Sequence, residues 1–230
     1  QLEEGENAPF TKVRAFEGGV RLKPGGGDKL TASAAAYQTN LSNDLAFDPG
    51  EGRLERIGPT QRRGLAMHIL TKPLHWLLAS LSATYVHATL TAPPAATAEN
   101  PSPAFQPGQL LPYVPPLVVR LDSAITQEIS LGEQHFDTRV GIGATALSAR
   151  PLPYGRFADP VYLLDASASI RWQMVELGID VMNLLNARYA APEYSFVSNW
   201  ANRQAPSLLP ARHLAAGPPR SILASLSLHY

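Results

Sequence analysis

Ser221-Ile222-Leu223-Ala224-Ser225-Leu226-Ser227-Leu228-His229-Tyr230 closes the chain, and its period decides the fold. Ile222, Ala224, Leu226, Leu228 and Tyr230 share one parity, while Leu223, Ser225, Ser227 and His229 share the other. Successive side chains of a strand point to opposite faces, so this pattern lays an apolar row against a mostly polar one. Just upstream, Val175, Leu177, Ile179 and Val181 alternate with Glu176, Gly178 and Asp180. Before them, Tyr162, Leu164, Ala166, Ala168, Ile170 and Trp172 stand against Asp165, Ser167, Ser169 and Arg171. Leu77, Ala79, Leu81, Ala83 and Tyr85 do the same against Ser80, Ser82 and Thr84. Helical spacing fits none of these segments.

Extended along the chain, the period predicts nine strands, at 11–22, 29–41, 60–72, 75–90, 115–129, 138–148, 160–172, 174–184 and 219–230. Many are longer than the roughly five or six residues of a soluble strand and match the about 9–11 a tilted strand needs to cross a bilayer. The connections alternate in length. Short turns are expected at 24–28, 72–74, 130–137 and 172–173, and long loops at 42–59, 91–114, 149–159 and 185–218. Short turns on one side of a membrane and long loops on the other are the outer-membrane barrel pattern, whereas a soluble sandwich has no reason to sort its loops by parity. Trp76, Tyr85, Tyr162, Trp172 and Tyr230 fall near expected strand ends, where amphipathic rings favour the headgroup level.

Composition fits this pattern. Apolar residues make up 45% of the 230 and charged residues 17%, against the roughly 25% charged of a soluble domain. No run of about eighteen apolar residues offers a transmembrane helix. A net charge of zero leaves no electrostatic footprint for nucleic acid. The absence of cysteine excludes disulfides and thiolate metal sites, and the six histidines form no zinc-binding spacing. We find no nucleophile–base pair, so no catalytic residue, cofactor or metal ligand is assigned. Nine alternating strands would bring the first and last together in parallel, and single-chain bacterial barrels close antiparallel with an even count. The sequence is therefore expected to be an incomplete, open or curled sheet.

Four stretches resemble the C-terminal half of a TonB-dependent receptor barrel. Arg56-Ile57-Gly58-Pro59-Thr60-Gln61-Arg62-Arg63-Gly64 is similar to a loop-to-strand passage of that family, with Ala66 where the family has Glu. Leu111-Pro112-Tyr113-Val114-Pro115 resembles its Pro-bounded approach to a descending strand. Asp180-Val181-Met182-Asn183-Leu184-Leu185-Asn186-Ala187-Arg188-Tyr189 is similar to the element on its penultimate strand, and Gly217-Pro218-Pro219-Arg220 to the opening of its last. The resemblance implies that residues 1–230 are the C-terminal segment of a 22-strand type barrel, without counterparts of the plug domain or the earlier strands. It implies an outer-membrane location and TonB-coupled import of a scarce nutrient such as a metal–siderophore complex. The partners it implies are outer-membrane lipid, the barrel-assembly machinery and, through the missing N-terminal region, the TonB complex.

Two groups of residues are candidates for function. In the loop 185–218, Tyr194, Phe196, Trp200 and Arg203 offer aromatic faces and a guanidinium to an anionic or aromatic ligand. The row Ile222, Ala224, Leu226, Leu228 and Tyr230 resembles the aromatic-ended signal read by the barrel-assembly machinery. Arg120, Asp122, Arg139, Asp165, Arg171, Glu176 and Asp180 are expected on the inner face, able to pair across the strands or to meet a plug. A small passive barrel or porin and a soluble β-barrel or sandwich that binds a ligand remain as alternatives.

Overall fold

The computed structural model describes residues 11–26, 29–48, 52–93, 104–199 and 209–229. Among them there is no α-helix; a single 3-10 turn at Pro24–Gly26 joins the first two strands. The strands are β1 (Val13–Leu22), β2 (Leu30–Asp48), β3 (Arg53–Leu74), β4 (Leu77–Leu90), β5 (Leu117–Leu131), β6 (Gln134–Leu147), β7 (Pro151–Leu152), β8 (Arg156–Phe157), β9 (Val161–Trp172), β10 (Val175–Met182), β11 (Ala190–Ser198), β12 (Leu209–Ala216) and β13 (Ser221–Leu228). Nine form one antiparallel sheet in the order β1-β2-β3-β4-β5-β6-β9-β10-β13, each beside its predecessor in that order. These are the nine strands the period predicts. β1 pairs only with β2 and β13 only with β10, so the described sheet is unclosed, and its two edge strands run in the same direction.

The register sorts side chains as the sequence reading requires. Across five strands, Ala32, Ile69, Leu81, Leu121 and Ala144 lie opposite one another. On the other face, Asp122, Gly143 and Asp165 share a row, and so do Glu176, Arg171 and Asp137. A soluble sandwich would bury the apolar rows between two sheets. Here they are open: Phe16 is 72% exposed, Ile222 70% and Leu226 67%. Exposed apolar surface on this scale marks a face made to meet something other than water.

Buried packing collects instead at the long-loop end. Ala46, Ile57, Ala88, Leu90, Phe105 and Leu111 form one cluster there. The segment before β5 folds against β4, with the Leu111 N–H donating to Ala88 O at 2.8 Å and the Leu90 N–H to Gln109 O at 2.9 Å.

Three of the expected loops and two turns differ from the structure; the turn expected at 130–137 narrows to Gly132 and Glu133, because 134–137 already belong to β6. The 42–59 loop is mostly an extension of the β2–β3 hairpin beyond a bulge at Asp44. The Asp44 carboxylate, buried at that bulge, accepts hydrogen bonds from Thr60 Oγ1 and Arg62 Nη2, each at 2.6 Å. The bulge breaks the period of two while the ladder continues, so the pattern ends before the strand does. The 149–159 loop contains the small β7–β8 pair, and 185–218 contains the β11–β12 hairpin. Glu193 and Ser195 are buried and Tyr194 is partly covered, so packing on both sides of β11 erases any alternation. The turn expected at 72–74 falls inside β3, and the chain reverses at His75 and Trp76. Pro73 sits in the register shift between Thr71 and Leu74, where its missing N–H removes no ladder bond.

Candidate functional site

The charged face carries the candidate site. A cleft of about 570 Å³ opens on it, lined by Arg120, Asp122, Arg139, Asp165 and Asp180 among others. Five of the seven charged residues expected on the inner face therefore meet in one place. Arg120 organises it. Its Nε donates to Asp122 Oδ1 at 2.9 Å, and its Nη1 donates to Thr145 Oγ1 at 2.8 Å and to Asp165 Oδ2 at 2.7 Å. Asp165 Oδ1 then accepts the Asn183 N–H at 3.0 Å, carrying the network from β5 over β6 and β9 to the end of β10. Gly143 makes this reach possible: a Cβ there would overlap the Arg120 guanidinium. These groups are partly solvated, with Arg120 37% and Asp165 30% exposed, so each pair contributes at most about 1 kcal/mol. The network fixes the geometry of the wall more than its stability.

Nearer the short turns, Arg171 Nε donates to Asp137 Oδ2 at 3.1 Å, and His229 Nε2 lies 2.8 Å from Glu176 Oε2. Trp172 stacks on Phe136 with ring centroids 6.5 Å apart and donates its indole N–H to Gln134 at 2.7 Å. That ring pair has an apolar body and a satisfied polar tip, as a headgroup-level girdle requires.

At the other end, the sequence elements around Asn183 and Gly217 lock together. Asn183 holds a left-handed φ of 51° and is buried. Its Oδ1 accepts the Ala187 N–H at 2.8 Å, and its Nδ2 donates to Ala187 O at 2.9 Å and Pro218 O at 3.2 Å. Asn186 Oδ1 accepts the Arg220 N–H at 3.0 Å. The Tyr189 ring lies over Gly217, where a Cβ would overlap it. This knot sets where β13 begins.

The β11–β12 hairpin is pinned at the same end. Glu193, buried, accepts from Arg212 Nε at 2.5 Å, and Arg212 Nη2 reaches Asp159 Oδ2 at 2.9 Å. The hydrogen bond to Asp159 first, and then that to Glu193, holds the Arg212 guanidinium above its ordinary range and therefore charged. Of the loop candidates, Tyr194 sits between Phe47 and Tyr113, at centroid distances of 6.1 and 5.6 Å. Phe196 stacks on His213 at 3.9 Å. Trp200 and Arg203 lie outside the described residues, as does Tyr230. Ile222, Ala224, Leu226 and Leu228 form one apolar row on β13, facing Val181, Ile179, Leu177 and Val175. The roles of Asp137, Thr145, Asn183 and Glu193 were not among the sequence expectations. Among the described residues, no group of three or more acidic or histidine side chains is placed to hold a metal ion.

Long antiparallel strands with one ion-paired face and one apolar face make this chain an arc of β-barrel wall. The sequence profile described as "TonB dependent receptor-like, beta-barrel" matches residues 7–184, and the chain belongs to that family. The siderophore receptor PiuA of Acinetobacter baumannii is similar in fold, at 19% identity over 94% of this chain and 28% of its own, with a TM-score of 0.67. The ferric-catecholate import receptor Fiu of E. coli K12 is similar at 18% identity over 96% and 28%, with a TM-score of 0.65. The ferric yersiniabactin uptake receptor FyuA of Yersinia pestis is similar at 14% identity over 95% and 30%, with a TM-score of 0.65. The chain thus spans less than a third of the length of each of these structures. No curated protein matches it. The family and these structures are transport receptors and not enzymes.

Proposed function

We propose that residues 1–230 form the C-terminal arc of an outer-membrane barrel that imports a scarce nutrient, such as a metal–siderophore complex, by coupling to TonB. The sorting of the nine-strand sheet into an exposed apolar face and an ion-paired polar face carries this reading. In it, the plug and the TonB-contacting segment lie in polypeptide outside this stretch. The charged cleft faces the interior of the barrel, and the apolar face meets lipid. At the outer rim, Tyr194 and Phe196 of β11 are offered to the ligand, and Trp200 and Arg203, which follow β11 in the sequence, are assigned the same role. Packing against Phe47 and Tyr113 supports this by holding the Tyr194 ring at low entropic cost.

Uptake tests the function. Iron-starved cells lacking the protein are expected to lose accumulation of one iron-loaded siderophore and keep the others. Undiminished uptake of every such complex and of free metals would reject the import reading.

We further propose that the row Ile222, Ala224, Leu226, Leu228 and Tyr230 is recognised by the barrel-assembly machinery. A strand that pairs on one side only within the described sheet, with an outward apolar row, is available for such recognition while folding proceeds. Deleting Tyr230 is expected to lower the outer-membrane yield several-fold, measured by immunoblot of membrane fractions. An unchanged yield would remove the terminal ring from the signal.

A further inference from the structure

The apolar face has a basic corner that neither import nor assembly uses. Below the Asp44 bulge, Arg14 and Arg63 are the only charged side chains on that face with a ladder partner among the described residues. Both sit at the end of the sheet away from the short turns. The register places them in two neighbouring rows, Arg14–Asn40–Gln61 and Gln38–Arg63–His87. Lys12, bonded through its backbone to Ser42, follows Arg14 in the same parity one row further out. The two guanidiniums stand two strands and two residues apart, a Cα spacing of roughly 12 Å on standard sheet dimensions. Gln38 Oε1 accepts the Arg63 Nε–H at 3.0 Å, which fixes the plane of the guanidinium and leaves its outer N–H groups free to donate. Gln61 donates to Asn40 at 2.8 Å beside it.

Physical chemistry limits what this corner can meet. An arginine on the lipid face costs about 2–4 kcal/mol at the midplane and about 0–1 near the interface, so these two belong at headgroup level. The opposite end of the face ends in Phe136, Trp172 and Leu228 and, among the described ladder residues, carries no such charge. Polarity alone would not select one sign; a cluster of cations and amide donors with no acid beside it among the described residues complements an anion. The planar fork of arginine suits phosphate oxygens best. We propose that Arg14 and Arg63, with Lys12 at the rim, bind the phosphate of an anionic lipid packed against the outer-leaflet end of β1–β4. This inference rests on the outer-membrane reading above.

The test uses the intact receptor in phosphatidylcholine nanodiscs doped with lipid A, with phosphate-free lipid A, or with inorganic phosphate in excess. Native mass spectrometry after mild delipidation reads what stays bound. The receptor is expected to retain lipid A over its phosphate-free form, and inorganic phosphate is not expected to displace it. Arg14→Gln with Arg63→Gln is expected to lower retention roughly five-fold for each charge removed, and the corresponding lysine pair to recover part of it. Equal retention of the two lipids by the unmodified receptor, which needs no variant to fold, overturns the proposal. So does displacement by inorganic phosphate, which would make the corner a free-anion site. A receptor that inserts in the bilayer without this preference sinks the lipid site alone, while one that stays out of the bilayer sinks both readings.

Discussion

Leu81→Arg is expected to destabilise the folded barrel by about 2–4 kcal/mol, while Ser80→Arg, one residue away, changes it by no more than about 0.5 kcal/mol. Leu81 lies mid-strand on β4 between Ile69 and Leu121, all on the apolar face. A guanidinium there must enter hydrocarbon or drag water with it. Ser80 points to the other face, directly opposite Asp122, and lines the charged cleft. An arginine at that position finds a carboxylate and solvent. Urea unfolding in lipid vesicles, followed by the gel mobility of the folded form, measures both. Equal losses at the two positions would mean that the two faces of the sheet do not meet different solvents.

Asn183→Ala is expected to cost about 4 kcal/mol, from three side-chain hydrogen bonds at about 1 kcal/mol each together with about 1 kcal/mol for placing alanine at positive φ. Asn183→Gly separates the two causes, because glycine accepts the φ of 51° and loses only the side-chain bonds. The expected order of stability is Asn, then Gly, then Ala, by the same unfolding measurement. The loss should appear as delayed pairing of β13, since Asn183 holds Pro218 and Asp165 holds the Asn183 N–H. If alanine equals asparagine, the knot does not set the start of the last strand.

The nine wall strands were legible because a wall is a one-dimensional pattern. Each residue needs only its parity to be assigned, and Leu226 or Arg120 can be placed without knowing its neighbours. What joins them was not. Arg171 was expected on the inner face, but its partner Asp137 fell within an expected turn at 130–137 and so had no parity. Glu176 meets His229 only because β10 pairs with β13 across a long connection, a register that composition does not encode. Asn183 stood in a recognisable element, yet its work depends on a backbone angle and on Pro218, which is 35 residues away. The outer hairpins were hidden for the opposite reason. Glu193 is buried with the Arg212 guanidinium and the Asp159 N–H as its partners, which its own charge does not announce, and the bulge at Asp44 interrupts the period while the strands run on. Alternation reports the solvent on each side of a sheet, so it fades where protein covers both sides.

Accessibility along one strand tests the central claim most directly. Residues 1–230 contain no cysteine, so single Cys substitutions at positions 117–125 of β5, in a receptor freed of any cysteine elsewhere, can carry a nitroxide at one site. In the membrane-inserted receptor, labels at Leu117, Val119, Leu121, Ser123 and Ile125 should favour collision with oxygen, which concentrates in hydrocarbon. Those at Val118, Arg120, Asp122 and Ala124 should lose that preference to a water-soluble nickel chelate or to burial. A ratio that swings with a period of two is the expected result; a flat profile, or one with a period near four, would contradict the two-faced wall on which the import reading depends.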